Sequence, residues 1–338
     1  MEQIRLPLGV ESFAELRESG CYYIVLCQEM SDQSGRMRDL HRRKSGKEKD
    51  MDITKFIEIA QPLGVLGVKV TQRDELAAQW HLEGECRRNV YSASKSYTSC
   101  AVGFALQEGL LSLDEKLVDV FRGELPETVS DNLAKAKVRD LLTMCLGQEQ
   151  GNLMGEQRPL YEEKNWVKLS LEIPFVYEPG THFVYNNVGP YLAGILVQRR
   201  AGCDLVSYLM PRLFEPMGIH RPTWEVDPFG NTFGAGGLFL TLTELHRFGL
   251  LYLHEGEWEG KRLLSKEWVT ESAKCQAVGE DYGYLFWRGE YNSFRADGKY
   301  CQLSVILPDQ DAVVTVVSEC RRGGELMRAI YDHVCAQL

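Results

Sequence analysis

Ser92 and Lys95, in the segment Ser92-Ala93-Ser94-Lys95, form the most chemically informative pair in this sequence. Residues three apart share one face of a helix, so the Ser92 hydroxyl and the Lys95 amine can meet within one turn. A serine hydroxyl is a weak nucleophile that needs a neighbouring base. Lysine serves as that base when burial or nearby positive charge lowers its pKa toward neutrality. The spacing predicts a nucleophile and a base on one helix, although the same spacing also arises by chance at exposed helix starts.

Tyr185 and Asn187 form a second polar group, downstream of a Pro179-Gly180 turn. A tyrosine hydroxyl can relay a proton, and an asparagine amide can both donate and accept hydrogen bonds. The pattern predicts that these side chains complete a site with Ser92 and Lys95.

Apolar residues at helical spacing after Ser92, among them Tyr97, Ala101 and Phe104, predict that the serine opens a buried helix. The positive end of a helix dipole stabilises negative charge that develops on a substrate. Helices are predicted at residues 92–110, 138–144, 188–199, 204–214, 243–254, 265–273 and 324–337. Strands are predicted at residues 65–72, 76–83, 282–287, 291–295, 301–307 and 312–319.

This order of elements predicts an α/β fold of the α+β type. An antiparallel sheet is built from the N- and C-terminal segments, flanked by helices, and a mostly helical segment is inserted between them. No internal repeat is present.

From about Ile53 to Leu338 the sequence resembles the serine β-lactamase and penicillin-binding-protein-like superfamily, in its class C-related and esterase branch. The first motif of that superfamily is S-x-x-K and its second is Y-x-N, here Tyr185-Asn186-Asn187. Two further landmarks agree with it, the helix at residues 138–143 and the Gly-rich turn at residues 234–238.

The resemblance implies that Ser92, Lys95 and Tyr185 are the catalytic residues. Ser92 attacks a carbonyl and forms an acyl-enzyme, and Lys95 and Tyr185 handle its proton; which of the two is the formal base stays open. Asn187 is expected to orient Lys95 and to contact the substrate. The resemblance requires no metal and no organic cofactor.

The third motif departs from the family pattern, which has Lys or His, then any residue, then Gly. The best match is Ala296-Asp297-Gly298, in the form A-x-G-x-x-G-Q with Cys301 in place of the second Gly. Gly298 and the backbone N–H of Lys299 are still expected to contact the substrate, with the Lys299 and Ser92 N–H groups forming an oxyanion hole. The missing cation disfavours β-lactam substrates more than it disfavours esters, although Arg295 or Lys299 could replace it.

Composition excludes several other classes of protein. The chain has 338 residues, 44% hydrophobic and 25% charged, with a net charge of −10 that argues against nucleic-acid binding. No apolar run is long enough to span a membrane, and no signal peptide is recognised at the start. The ten cysteines are scattered without C-x-x-C pairs, so we expect a cytoplasmic protein with free thiols. The oligomeric state stays open.

Residues 1–50 are interpreted as an N-terminal extension ahead of the hydrolase domain at residues 51–338. Residues 1–23 are similar to the start of a predicted ATPase-like family, but the chain carries neither phosphate-binding motif. Residues 29–50 are rich in charge and poor in apolar side chains, which is typical of a solvated linker.

Two functions fit these observations. The first is a serine hydrolase acting on a small ester or amide, more esterase-like than β-lactamase-like. The second is a ligand-binding protein that retains the fold and has lost turnover, which the altered third motif would favour. The intact Ser92, Lys95 and Tyr185 favour the enzyme.

Overall fold

The computed structural model describes residues 51–338, so the interpretation of residues 1–50 lies outside the described residues. The strands are β1 (Val65–Gln72), β2 (Glu75–His81), β3 (Arg88–Asn89), β4 (Phe239–Leu240), β5 (Glu257–Trp258), β6 (Lys261–Arg262), β7 (Trp287–Arg288), β8 (Phe294–Gly298), β9 (Gln302–Leu307) and β10 (Ala312–Ser318). The α-helices are α1 (Thr54–Ala60), α2 (Ser94–Gln107), α3 (Leu117–Val120), α4 (Asp131–Lys135), α5 (Trp166–Glu172), α6 (Val188–Ala201), α7 (Leu205–Leu209), α8 (Leu242–Leu253), α9 (Lys266–Ala273) and α10 (Gly323–His333).

The main sheet has six antiparallel strands in the order β2-β1-β10-β9-β8-β7. Strand β1 therefore lies between β2 and the last strand, β10, and Val70 is opposite Val314. The intervening segment supplies the helices α2 to α7. The predicted fold, a sheet closed by the two ends of the domain around a mostly helical insertion, is confirmed.

The sheet is covered on both faces. Strands β9 and β10 are buried along their whole length, as expected of strands that read as continuous apolar runs. On one face, Phe56 of α1 and Ile330 of α10 belong to the same apolar cluster as Val68 and Val314. The other face carries α8 and the larger core, which continues into the helical insertion. None of the helices in residues 51–338 is long and apolar enough to cross a membrane.

Helix α2 is the centre of the helical part, and its residues Ser94–Ala105 are all buried. The small side chains of this helix let its neighbours approach closely. A Cβ placed on Gly103 would lie 2.3 Å from the indole of Trp268, so this position admits only glycine. Helix α2 is therefore closely packed by its neighbours, and it carries Lys95 of the S-x-x-K motif, while Ser92 lies on the turn just before it.

Helix boundaries differ most from the predicted ones at two places. The helix predicted at residues 92–110 begins at Ser94, because residues Tyr91–Ala93 form a 3₁₀ turn with Tyr91 in a left-handed conformation (φ 46°). The helix predicted at residues 138–144 is only a 3₁₀ turn, Val138–Leu141, and the left-handed Met144 (φ 60°) ends any continuation.

Two strands of the sheet were predicted too early in the chain. The strand predicted at residues 291–295 is Phe294–Gly298, because Tyr291 and Asn292 both have left-handed φ angles and make a turn. Of the strand predicted at residues 282–287 only Trp287 belongs to β7, since Leu285 is also left-handed (φ 65°). Strand formation in both segments was inferred from apolar content, which does not reveal a turn.

His246 of α8 is buried against the sheet between two threonines. Its Nε2 lies 2.7 Å from the Thr71 hydroxyl on β1, and its Nδ1 lies 2.8 Å from the Thr315 hydroxyl on β10. Burial lowers the pKa of His246 to about 3, and the positive charge of Lys69 acts in the same direction. The imidazole is therefore neutral in the folded protein, donating through one ring nitrogen and accepting through the other.

Stability should fall as the pH drops below about 6.5, because the unfolded chain then binds a proton at this histidine that the folded protein does not bind until about pH 3. The loss attributable to His246 is about 1.4 kcal/mol per pH unit across that window. We expect His246→Gln, which can still bond both threonines, to flatten the dependence of the unfolding free energy on pH between pH 6.5 and 5. Urea unfolding at several pH values measures this, with the exposed His220→Gln as control. Equal slopes for His246→Gln and the wild type would contradict the assignment.

Candidate active site

Ser92 lies on the 3₁₀ turn that connects β3 to α2. The turn is held by its neighbours: the Asn89 Oδ1 accepts a hydrogen bond from the Tyr91 N–H at 2.7 Å, and the Ser94 hydroxyl donates to the Tyr91 carbonyl at 2.6 Å. The Leu238 N–H in turn donates to the Ser94 oxygen at 3.1 Å. Ser92 thus lies directly after the left-handed Tyr91 (φ 46°), on a turn that the Asn89 and Ser94 side chains hold in place.

Lys95 is buried directly beneath Ser92. Its Nζ donates to the Ser92 Oγ at 2.9 Å and to the Ala235 carbonyl oxygen at 2.7 Å. No carboxylate is among its hydrogen-bond or ion-pair partners in residues 51–338. Burial lowers the pKa of Lys95 to about 7, and the positive charge of Arg158 contributes to the same shift. Near neutral pH a large fraction of Lys95 is therefore an uncharged amine, able to accept the Ser92 proton.

Tyr185 completes the predicted catalytic group. Ser92 lies close enough to the Tyr185 phenol to act on its pKa, and the ring centroid is 5.1 Å from the Lys95 Nζ. The ring stacks on Trp287 at 5.8 Å between centroids and meets Tyr282 edge-on. Burial raises the pKa of Tyr185 to about 12. The phenol therefore keeps its proton at neutral pH, whereas Lys95 loses its own readily.

The third motif brings the end of β8 against the Ser92 turn. A Cβ on Gly298 would lie 2.1 Å from the Val90 carbonyl oxygen, so only glycine permits this approach. The next residue is Lys299, and its backbone N–H has no hydrogen-bond acceptor in the described part of the chain; the same is true of the Ser92 N–H. Two free N–H donors on adjoining segments are the components of the predicted oxyanion hole.

Asn187 has different partners from those predicted. Its Nδ2 donates to the Leu153 carbonyl at 2.9 Å, while Lys95 is held by Ser92 and Ala235, so Asn187 does not orient Lys95 through a hydrogen bond. The reason is that the loop carrying Leu153 lies against Asn187 and takes its amide. Within residues 51–338 the buried Asn187 Oδ1 has no hydrogen-bond partner, and the residue lines the cavity.

Arg295, a candidate to replace the missing cation of the third motif, is paired with Asp297. Ala296 faces the core and is fully buried, whereas the Arg295 Nε and the Asp297 Oδ2 form an ion pair at 2.8 Å in the cavity wall. Burial raises the pKa of Asp297 even though Arg295 opposes that shift. Arg295 is thus already paired and is not available for a substrate carboxylate. Lys299 and Arg321 are exposed cations that lie over the Tyr300 ring.

These residues surround a cavity of about 870 Å³. Its wall includes Ser92, Tyr185, Asn187, Gly298 and Lys299, so five of the six predicted site residues line one space and Lys95 lies just behind it. The residues of the opposite wall were not predicted. There the Arg158 Nη1 lies 3.0 Å from the Glu225 Oε2, and the Arg158 guanidinium lies over the Phe233 ring. No motif marks Arg158 or Glu225, because they meet only when two distant loops pack together.

Comparisons with known proteins agree with the fold. The profile of the family described as Beta-lactamase matches residues 65–334. The ML-236A carboxylate methylbutanoyltransferase of Penicillium citrinum is 25% identical over 183 residues, covering 47% of this chain and 43% of that protein. The chain thus matches less than half the length of this curated relative.

Solved structures share the fold. A penicillin-binding protein from Bacillus halodurans superposes with a TM-score of 0.66 at 17% identity, covering 83% of this chain and 99% of that one. A simvastatin synthase mutant from Aspergillus terreus superposes with a TM-score of 0.63 at 17% identity, covering 87% of this chain and 99% of that one.

The reactivity of Ser92 should follow the titration of Lys95. We expect the rate of labelling by a fluorophosphonate to rise with pH and to level off above about pH 7, because only the neutral amine can accept the serine proton. The initial rate of labelling between pH 5 and 9, followed by mass spectrometry, measures this. Tyr185→Phe should slow labelling without moving the midpoint. A rate that still rises steeply above pH 9 would contradict a lysine of lowered pKa.

Proposed function

This chain belongs to the Beta-lactamase family, and we propose that it is a serine enzyme that transfers an acyl group from an ester or amide through an acyl-enzyme at Ser92. The observation that carries the proposal is the contact of 2.9 Å between the Ser92 Oγ and a buried Lys95 Nζ whose pKa is lowered to about 7. A neutral amine at hydrogen-bond distance is what a serine nucleophile requires.

The steps follow from these positions. The Ser92 oxygen attacks the carbonyl carbon while its proton passes to Lys95, and the N–H groups of Ser92 and Lys299 stabilise the oxyanion. When the carbon–oxygen or carbon–nitrogen bond to the leaving group breaks, the proton returns from Lys95 through the Tyr185 hydroxyl to that group. An acceptor hydroxyl then attacks the acyl-enzyme by the reverse proton route and restores Ser92. Because its pKa of about 12 keeps Tyr185 protonated near neutral pH, we assign the role of base to Lys95, whose pKa is about 7.

The proposed acceptor is water, which makes the protein a hydrolase. A second candidate is transfer to an alcohol, favoured by the relatives named as methylbutanoyltransferases. The two reactions share the acyl-enzyme and differ only in the molecule that attacks it. No metal or organic cofactor enters either scheme.

A ligand-binding protein without turnover is the remaining alternative. That alternative assigns no role to the Ser92–Lys95–Tyr185 arrangement. Burying a lysine without an opposite charge is costly, and the alternative gives no reason for that cost. A cytoplasmic location stays a prediction of the cysteine pattern.

Ser92→Ala should abolish covalent labelling and lower turnover of a p-nitrophenyl ester by at least about 1,000-fold, because no other group supplies the attacking oxygen. Lys95→Ala should lose nearly as much, and the double variant little more, since the two residues act as one unit. Tyr185→Phe retains the ring that stacks on Trp287 and isolates the effect of the hydroxyl. Steady-state kinetics measures all four variants. Full esterase activity of purified Ser92→Ala would show that the proposed site is wrong.

Neutral short-chain esters should be turned over with a kcat/KM at least about 10-fold above that of a chromogenic cephalosporin. Asp297 lines the cavity, where its carboxylate would disfavour a β-lactam carboxylate, and the cation of β8, Arg295, is already paired with that aspartate. Asp297→Asn should therefore reduce the difference in kcat/KM between the esters and the cephalosporin. The prediction is wrong if the wild type prefers the cephalosporin and Lys299→Ala or Arg321→Ala loses that preference. These cations would then be binding the β-lactam carboxylate.

A further inference from the structure

Tyr91 and Tyr300 flank the two segments that supply the oxyanion-hole donors. Tyr91 immediately precedes Ser92, and Tyr300 immediately follows Lys299. Both have left-handed φ angles, 46° and 63°, which glycine adopts easily and bulky residues seldom do. The chain thus keeps a large side chain at two positions where the backbone would favour glycine.

The two rings touch across the mouth of the cavity. Their centroids are 5.4 Å apart and their planes are inclined at 82°, which is the favoured edge-to-face arrangement. The Tyr300 ring also makes two cation–π contacts. Its centroid is 5.3 Å from the Lys299 Nζ and 5.8 Å from the Arg321 guanidinium. Both tyrosines line the cavity.

The backbones of the two tyrosines are anchored to separate elements. Tyr91 is bonded to Asn89 and Ser94, on the strand and helix that carry Ser92. The Tyr300 carbonyl accepts a hydrogen bond from the Ser318 hydroxyl at the end of β10. The ring contact therefore joins the helical side of the site to the sheet side, next to the close approach of Gly298 to Val90.

We propose that Tyr91 and Tyr300 form a clamp that sets the separation of the Ser92 and Lys299 N–H groups and so positions the oxyanion hole. They are positioning residues, since the transition state is contacted by the two N–H groups and not by the rings. This inference rests on the proposed acyl-enzyme function. If the rings served only packing, glycine at these φ angles would relieve backbone strain and cost little else.

The test replaces each tyrosine by glycine and by phenylalanine in the full chain. We expect Tyr91→Gly and Tyr300→Gly to melt within about 3 °C of the wild type, because relief of strain offsets the lost ring contact. Their kcat should fall about 10- to 100-fold with KM little changed, since only the transition state uses the hole. The affinity for an alkyl boronic acid, which forms a tetrahedral adduct with the serine, should fall by the same factor.

Phenylalanine keeps the ring, so Tyr91→Phe and Tyr300→Phe should stay within about threefold of the wild type. The double glycine variant should lose little more kcat than either single variant, because removing either ring already removes the contact between the two. A glycine variant with wild-type kcat, or one whose lost activity accompanies a large drop in melting temperature, would overturn the clamp. Failure of the wild type to bind the boronic acid through Ser92 would instead contradict the proposed function, and the clamp with it.

Discussion

The burial of Lys95 without a counter-ion among residues 51–338 is the constraint on which the site depends. Its two hydrogen-bond acceptors are a hydroxyl and a backbone carbonyl, neither of which neutralises an ammonium. A pKa that falls from its ordinary value of 10.5 to about 7 corresponds to about 5 kcal/mol lost by the charged form on folding. Other interactions of the folded protein offset that cost. The same burial provides a neutral amine beside Ser92. Function and stability are thus opposed at this residue.

The surrounding structure keeps the lysine in that environment. Helix α2 is buried on all sides, so Lys95 cannot turn toward solvent. The Ala235 carbonyl that receives its second hydrogen bond comes from the Gly-rich turn before β4, which Thr98 of the same helix also holds through the Gly234 carbonyl at 2.7 Å. Arg158 adds positive charge nearby, while its own partner Glu225 keeps it in place. Burial and the Arg158 charge both favour the uncharged amine, while the Ala235 carbonyl fixes its position.

Local sequence patterns predicted Ser92, Lys95 and Tyr185, because residues three apart on a helix must meet and because the motif order resembles a known family. The sheet of terminal strands was predicted for a similar reason, since its apolar runs are long. The contacts of Asn187 with Leu153 and of Arg158 with Glu225 could not be predicted, because each joins loops that are distant in the sequence. The turn at Tyr291 and Asn292 was missed because the strand was inferred from apolar content, although Asn292 is a residue type that favours a left-handed turn.

The most direct test of this account is the titration of Lys95 itself. In protein labelled with ¹⁵N-lysine, the Nζ resonance of Lys95 can be assigned by its loss in Lys95→Met and followed by NMR from pH 5 to 11. The account predicts a midpoint near pH 7, far below that of exposed lysines in the same spectra. A midpoint above about pH 9 would mean that Lys95 is an ammonium at neutral pH, and it would contradict the proposal that this residue activates Ser92.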